Sequence, residues 1–226
     1  MKLKTENRRI NMSPTVSSKK SGWKQDPERV KQNILAVALE EFAEHGYSGA
    51  RINRIAEKTN TSKRMIYYYF DDKDTLYTTV LSNAYKEVRE SEQRLELDSV
   101  PAIEAMRALI EFTFHHHARH RHFIRLVAIE NIHYAEHIQL TEEFRDLNSP
   151  AVQRVHEIYQ RGLSEGVFRS GLDPVFIHWQ ISALCFQNVS NEHTFSKAIS
   201  DEIWTDMGQI RLRKQIEDSV LAIMTV

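Results

Sequence analysis

"TSKRMIYYYFDDKDTL", residues 61–76, places two cations, a methionine and three consecutive tyrosines in about two helical turns, then Phe70, an acidic pair and the start of another helix. Ser62 has the residue type and position of a helix N-cap, and Asp72 those of a second. At roughly 100° per residue, with Ile66 directed inward and Ser62 and Phe70 near it, Arg64 and Tyr68 point away from the core. Met65 and Tyr67 flank that outward line, and Lys63 and Tyr69 lie at its edges. A solvated face gains nothing from tyrosine and methionine at its most outward positions. A face that enters a DNA groove does. Arginine presents the paired donors that match guanine O6 and N7, tyrosine hydroxyls reach phosphate oxygens, and apolar atoms meet thymine methyls. Lys73, in the first turn of the next helix, is poorly placed for the helix dipole and well placed for a backbone phosphate. The competing use of Tyr67 and Tyr69 is packing against the neighbouring helices.

Upstream, Asp26-Pro27 reads as an N-cap followed by proline at the first helical position, where its missing N–H costs nothing. Val30, Ile34, Val37, Ala38 and Phe42 then mark one helical face, and Gly46 ends the helix. A second helix is expected over residues 51–58, with Ile52, Ile55 and Ala56 inward and Asn60 supplying a left-handed turn residue. A short helix, a tight turn around Thr59–Thr61 and a helix with this outward face make a helix-turn-helix. Downstream, Asp72 opens a helix that carries Leu76, Val80 and Leu81 and continues through the charged stretch 87–96. Beyond Asp98, longer helices are expected to begin at Pro101, Pro150 and Pro174, with Ser149-Pro150 and Asp173-Pro174 repeating the cap-then-proline pattern and Gly166 and Gly171 bracketing a turn. The segment 174–189 is apolar on nearly every side, so little of it should meet solvent. Leu212, Ile216, Val220 and Ile223 form an apolar stripe that either closes the core or makes a dimer face.

The composition agrees with an all-α chain. Among 226 residues there are only 7 Gly and 5 Pro, with few alternating β-branched stretches to mark hairpins or crossovers. No run approaches the roughly 18 apolar residues of a membrane span, and the basic, polar opening MKLKTENRRINMSP lacks the apolar core of a secretion signal, so a cytoplasmic protein without membrane contact is expected. Cys185 is the single cysteine, which excludes an internal disulfide and suits a reducing compartment. The net charge of −1 hides an asymmetry: residues 1–70 carry 14 Lys and Arg against 7 Asp and Glu, leaving the rest of the chain acidic. Six of those cations lie in residues 1–20, so part of the excess belongs to a basic tail. A basic front on an acidic body is the charge pattern of a nucleic-acid reader with a separate regulatory body. The expected organisation is a flexible basic arm at 1–25, a three-helix DNA-binding domain at 26–72, a connecting helix at 73–96, and an antiparallel helical ligand-binding and dimerisation domain at 97–226.

Residues 29–82 resemble the DNA-binding domain of the TetR family of bacterial transcriptional regulators, through "ILAVALEEFAEHGYSGARINRIAEKTNTSKRMIYYYFDDKDTLY" at 34–77. The ordered features are "FAEHGY" closing the first helix, "IA" in the second, S-K-x-x-I-Y-Y-Y-F and K-x-x-L. The resemblance implies a homodimer on a palindromic double-stranded DNA operator, most often a repressor, released by a small-molecule effector. It places Lys63, Arg64, Tyr67, Tyr68 and Tyr69 where the family reads or grips its operator and Lys73 on its phosphate-contacting lysine. Ser62 belongs to the same contact set. Two departures stand out. Ala50-Arg51 replaces the usual Ser/Thr pair at the start of helix two, so the side-chain cap is absent and Arg51 becomes a candidate phosphate contact; Asn60 replaces the frequent turn glycine. Residues 101–226 are more loosely similar to one subgroup, in "FIRLVAIENIH" and "ISALCFQNVSNEHTFS", some of whose members respond to small aromatic or heteroaromatic acids.

Candidate ligand contacts are Phe112, His116, Phe123, Trp179, Cys185, Phe186 and Asn188, set in apolar helices; ordinary core packing is the competing role for each. In "HHHARHRH", 115–122, His116 and His120 have the i,i+4 spacing of a shared metal, and "HYAEH", 133–137, matches H-x-x-E-H with His133 and His137 as ligands and Glu136 as base. No third ligand is indicated and five-residue matches arise easily among 11 His, so neither a metal, a cofactor nor a catalytic residue is expected. "GYSG" at 46–49 is not a nucleophile elbow, since a helix precedes it and the final glycine spacing is wrong, and no glycine-rich phosphate loop occurs.

Overall fold

Each expected cap near the front of the chain becomes a helix start. Asp26 accepts from Glu28 N at 3.1 Å ahead of α1 (Pro27–Gly49). Ser62 accepts from Met65 N at 3.2 Å ahead of α3 (Lys63–Phe70), and Asp72 accepts from Thr75 N at 2.8 Å ahead of α4 (Lys73–Gln93). Between them lies α2 (Ile52–Lys58). The computed structural model describes residues 26–138 and 142–226 and, for 142–148, the backbone alone; the arm expected at 1–25 lies outside the described residues. The remaining helices are α5 (Ala102–Arg119), α6 (Arg121–Ile132), α7 (Glu142–Ser164), α8 (Pro174–Ser190), α9 (Glu192–Ala198) and α10 (Asp206–Met224), with a 3-10 turn at Glu202–Trp204. Among the described residues the fold is all-α, with a lone antiparallel bridge between Phe168 and Thr225.

Gly46 breaks the regular helix at φ 67°, although the hydrogen-bonded turns of α1 run on to Gly49. Asn60 takes the left-handed conformation at φ 51°, and Thr61 N donates to Ala56 O at 3.0 Å, closing the turn between α2 and α3. Three expectations change. Proline 150 lies inside α7 rather than at its start: α7 begins eight residues earlier, and the residues around Pro150 remain helical. The fourth helix stops at Gln93, short of the charged stretch's end. Helix α8 is not enclosed: Val175, Phe176, Trp179 and Leu184 are 54%, 71%, 69% and 36% exposed, because its neighbours cover only the face of Ile177, Ile181, Cys185 and Val189.

Two main cores divide the chain. One joins α1 to α4 through Ile34, Phe42, Ile55, Ile66, Phe70, Leu76 and Tyr77, and it recruits Leu126 of α6. The other joins α5, α7, α8 and α10 through Met106, Ile110, Phe114, Ile158, Ile181 and Val220. A small cluster of Ala84, Val88, Phe123, Ile124 and Val189 lies where α4, α6 and α8 meet. At the end of α7, a Cβ on Gly162 would fall 1.9 Å from the Phe168 ring, so only glycine lets the 166–168 turn fold back on the helix.

Candidate functional site

The structure presents two sites, an exposed face on α3 and a solvent-open cavity in the helical body. On α3, Ile66 and Phe70 are buried, while Lys63 and Arg64 are exposed and Met65 and Tyr68 reach 38% and 76% exposure. Tyr67 and Tyr69 are half-buried against the first core, so their rings pack and only their outer edges face solvent. Lys63 Nζ lies 5.5 Å from the Tyr67 ring centre, and the Tyr68 and Tyr69 rings meet edge-on at 5.3 Å. Lys73 sits over the Tyr47 ring at 4.8 Å, and Tyr47 in turn donates its hydroxyl proton to Asp74. Burial lowers the Lys73 pKa and the Glu41 charge opposes that.

The missing cap on α2 is supplied from a distance, which the sequence did not reveal. Glu41 of α1 is fully buried, and its Oε1 accepts from Arg51 N at 2.9 Å and pairs with Arg54 Nε at 2.9 Å. Arg51 itself makes no capping bond and its side chain is exposed. The first helix thereby fixes the helix-turn-helix by a carboxylate rather than by a local hydroxyl.

The cavity, of about 510 Å³, lies among α4, α5, α6 and α8. Of the seven candidate ligand contacts, Phe112, His116, Phe123, Trp179 and Phe186 line it. Cys185 and Asn188 do not. Cys185 belongs to the second core, where burial pushes its thiol up to about 12, and Asn188 exchanges two 3.0 Å hydrogen bonds with Gln209 of α10. Sequence reading missed the polar lining: Tyr85, Arg89 and Glu92 of α4, Thr113 and His117 of α5, and His178 and Ser182 of α8. Arg89 and Glu92 belong to the charged stretch at 87–96; a fold that lays α4 against α5, α6 and α7 turns them inward.

Burial pushes His116 down to about 3 and His178 to about 4, and it also lowers His117; the Arg89 charge adds to all three shifts. The cavity histidines are therefore neutral near pH 7. His117 Nδ1 lies 2.7 Å from Thr113 O, and His178 Nε2 lies 3.4 Å from Ser182 Oγ. Both ring nitrogens of His116 are buried without a hydrogen-bond partner.

Among the described residues neither histidine cluster gathers a set of metal ligands. His116 and His120 stack face to face at 3.9 Å, and His120 Nδ1 lies 2.9 Å from His116 O, so the two rings do not converge on a point. His133 and Glu136 are exposed, whereas His137 packs against Tyr47 and Tyr77 and lies 3.4 Å from Glu130. No group of three metal-ligating side chains converges among the described residues. His137 instead joins the head to the body: Tyr77 OH donates to Glu130 at 2.7 Å, His137 N donates to the same carboxylate at 3.2 Å, and Arg125 donates to Ala43 O at 2.9 Å.

Comparison with known proteins matches these two regions separately. Residues 34–80 match the family described as bacterial regulatory proteins of the tetR family, and residues 103–220 match the tetracyclin repressor-like C-terminal domain. The chain is 31% identical over 189 residues to the HTH-type transcriptional repressor NicS of Pseudomonas putida, covering 83% of this chain and 89% of that one. In fold it is similar to a tetR-family regulatory protein from Rhodococcus, at TM-score 0.68 and 17% identity over 87% of this chain and 97% of the other. It is similarly related to a transcriptional regulator from Saccharomonospora viridis solved with choline, at TM-score 0.67 and 22% identity over 88% and 99%. This chain belongs to the TetR family of helix-turn-helix transcriptional regulators. Its family and relatives are regulators rather than enzymes, and among the described residues no helix is long and apolar enough to cross a membrane.

Proposed function

We propose that the protein is a cytoplasmic, homodimeric repressor that grips a palindromic operator with α3 and is released when a small molecule fills the cavity. The observation that carries this reading is that two helices serve both sites. Helix α4 begins at Lys73, beside the DNA-facing helix, and reaches the cavity at Tyr85, Arg89 and Glu92. Helix α6 lines the cavity with Phe123, Ile124 and Val127 and packs on the head with Leu126 and Arg125. Occupancy of the cavity therefore bears on the position of α3. Two heads must stand about 34 Å apart to meet successive major grooves, so a small rotation spoils the fit.

Arg64 and Tyr68 serve as base-reading residues, with Lys63, Met65, Tyr67 and Tyr69 around them and Ser62, Arg51 and Lys73 toward the phosphates. The apolar residues that α8 leaves exposed, together with Met207 and Ile210 of α10 at 59% and 54%, supply the dimer face. So many large apolar side chains left exposed on two helices favour a covering partner. Selection of random duplexes on the purified protein at about 0.15 M salt tests the reading, because non-specific phosphate binding is already weakened there. A recovered palindrome supports it; no common sequence from folded dimer refutes it. A metal-dependent hydrolase built on His133, Glu136 and His137 predicts about one zinc per untagged chain, and a constitutive DNA-binding protein predicts operator affinity indifferent to any ligand.

A further inference from the structure

The corner between α5 and α6 collects cations where a helix tolerates them least. Helix α6 opens at Arg121 and His122 with no acidic residue in its first turn, and its N-cap, His120, makes no side-chain capping bond. The first backbone N–H groups of a helix have no partners within it and carry the positive end of its dipole, so an acceptor belongs there and a cation does not. Two carboxylates answer part of this charge: Glu192 of α9 pairs with Arg121, and Glu87 Oε1 of α4 lies 3.4 Å from His120 Nε2. Arg119, one residue before the cap, is exposed and has neither a hydrogen bond nor an ion pair among the described residues. Its charge suits the last turn of α5, but nothing comparable explains His122 at the start of α6.

These groups border a crevice of about 260 Å³ at the joint between head and body, to which α1 contributes Leu39 and α4 Ala84. His116 lines it as well. This side chain is 5% exposed, and both its ring nitrogens are buried without a hydrogen-bond partner. Burial is the first reason that the ring stays neutral, and the charges that add to it, from His120, His117, Arg89 and Arg119, all act as cations. A neutral imidazole keeps one N–H donor, and a buried donor surrounded by positive charge is suited to an anion.

We propose that this crevice binds a small tetrahedral oxoanion of the phosphate type, held by Arg119, His122, the first turn of α6 and the His116 N–H. Donors drawn from two helices and a loop corner do not share a plane, so they suit four tetrahedral oxygens better than the two coplanar ones of a carboxylate. The site is distinct from the effector cavity, with which it shares only His116 and Phe123, and it requires no assumption about what fills that cavity. Leu39 belongs to the head and the cationic corner to the body, so a bound anion bears on the position of the head. Free phosphate and the phosphate group of a metabolite share this chemistry.

The test is titration calorimetry of the full-length protein in about 0.15 M chloride, at constant ionic strength, against inorganic phosphate, sulfate and glycerol 3-phosphate. One saturable site per chain is expected, with a Kd of about 1 mM or tighter. Tighter binding of inorganic phosphate assigns the free ion; equal or tighter binding of the ester assigns a phosphate-bearing metabolite, and either supports the site. Arg119→Gln should weaken the anion about fivefold or more and His122→Gln about threefold. Lys86→Gln, which removes the same charge from a side chain 60% exposed on α4, should leave it unchanged. Operator Kd in phosphate at about ten times its own Kd, against chloride of equal ionic strength, should shift about threefold for the unmodified protein and not for Arg119→Gln. No saturable binding below about 10 mM, or binding that survives Arg119→Gln and His122→Gln together, overturns the proposal. An anion held through Arg119 without effect on the operator upholds the site and refutes its action on the head.

Discussion

Replacing Glu41 by alanine removes a cap that the sequence places ten residues from the helix it serves. Three contributions add. Loss of the bond to Arg51 N leaves the first turn of α2 uncapped, worth about 1 kcal/mol. Loss of the pair with Arg54 would cost about 3–5 kcal/mol for two fully buried charges. Arg54 is 37% exposed and solvent screens it, so about 1 kcal/mol is the appropriate figure. Loss of one buried methylene at a fully enclosed position adds about 1 kcal/mol. The sum is about 3 kcal/mol, or a fall of about 6–12 °C in Tm for a chain of this size. Glu41→Gln keeps an acceptor for Arg51 N and should lose about half as much. Far-ultraviolet circular dichroism on heating measures both, and operator Kd at a temperature where both remain folded should rise because α2 positions α3. A change below about 1 °C for Glu41→Ala, or equal losses for alanine and glutamine, would refute remote capping.

Arg64→Ala should weaken the selected operator by about 1–3 kcal/mol and relax preference at one base pair, read by competition binding against single-base variants. Lys73→Ala should weaken all duplexes alike and reduce the slope of log K against log salt by about one unit. A Phe176→Glu/Trp179→Glu variant should sediment as folded monomer and lose operator affinity, since both side chains are more than two-thirds exposed in the isolated chain. Stability should fall as pH drops from about 6.5, the unfolded histidine value, toward about 4 for His178 and 3 for His116, because the unfolded chain takes up protons that the buried neutral rings refuse. The slope is up to about 1.4 kcal/mol per pH unit per histidine, and urea titrations at stepped pH with His178→Gln as control measure it.

Short-range signals made the head legible. Asp26, Ser62 and Asp72 cap the helices they precede, Asn60 takes the left-handed turn, and Ile66 and Phe70 face inward with Arg64 and Tyr68 outward. Each depends on residues within about one helical turn, where backbone hydrogen bonding and the 3.6-residue period act directly. Features that join distant segments were hidden. Glu41 looks like any surface glutamate of an amphipathic helix until α2 is docked against it. Arg89 and Glu92 read as part of a charged stretch until α5, α6 and α7 pack against α4, and Cys185 and Asn188 read as lining until α8's rotation turns them away from the cavity. The sequence by itself therefore determined the helical class, the outward face of α3 and the family. Only the tertiary structure decided which charges are buried and what they face, because burial is a property of neighbours far apart in the chain.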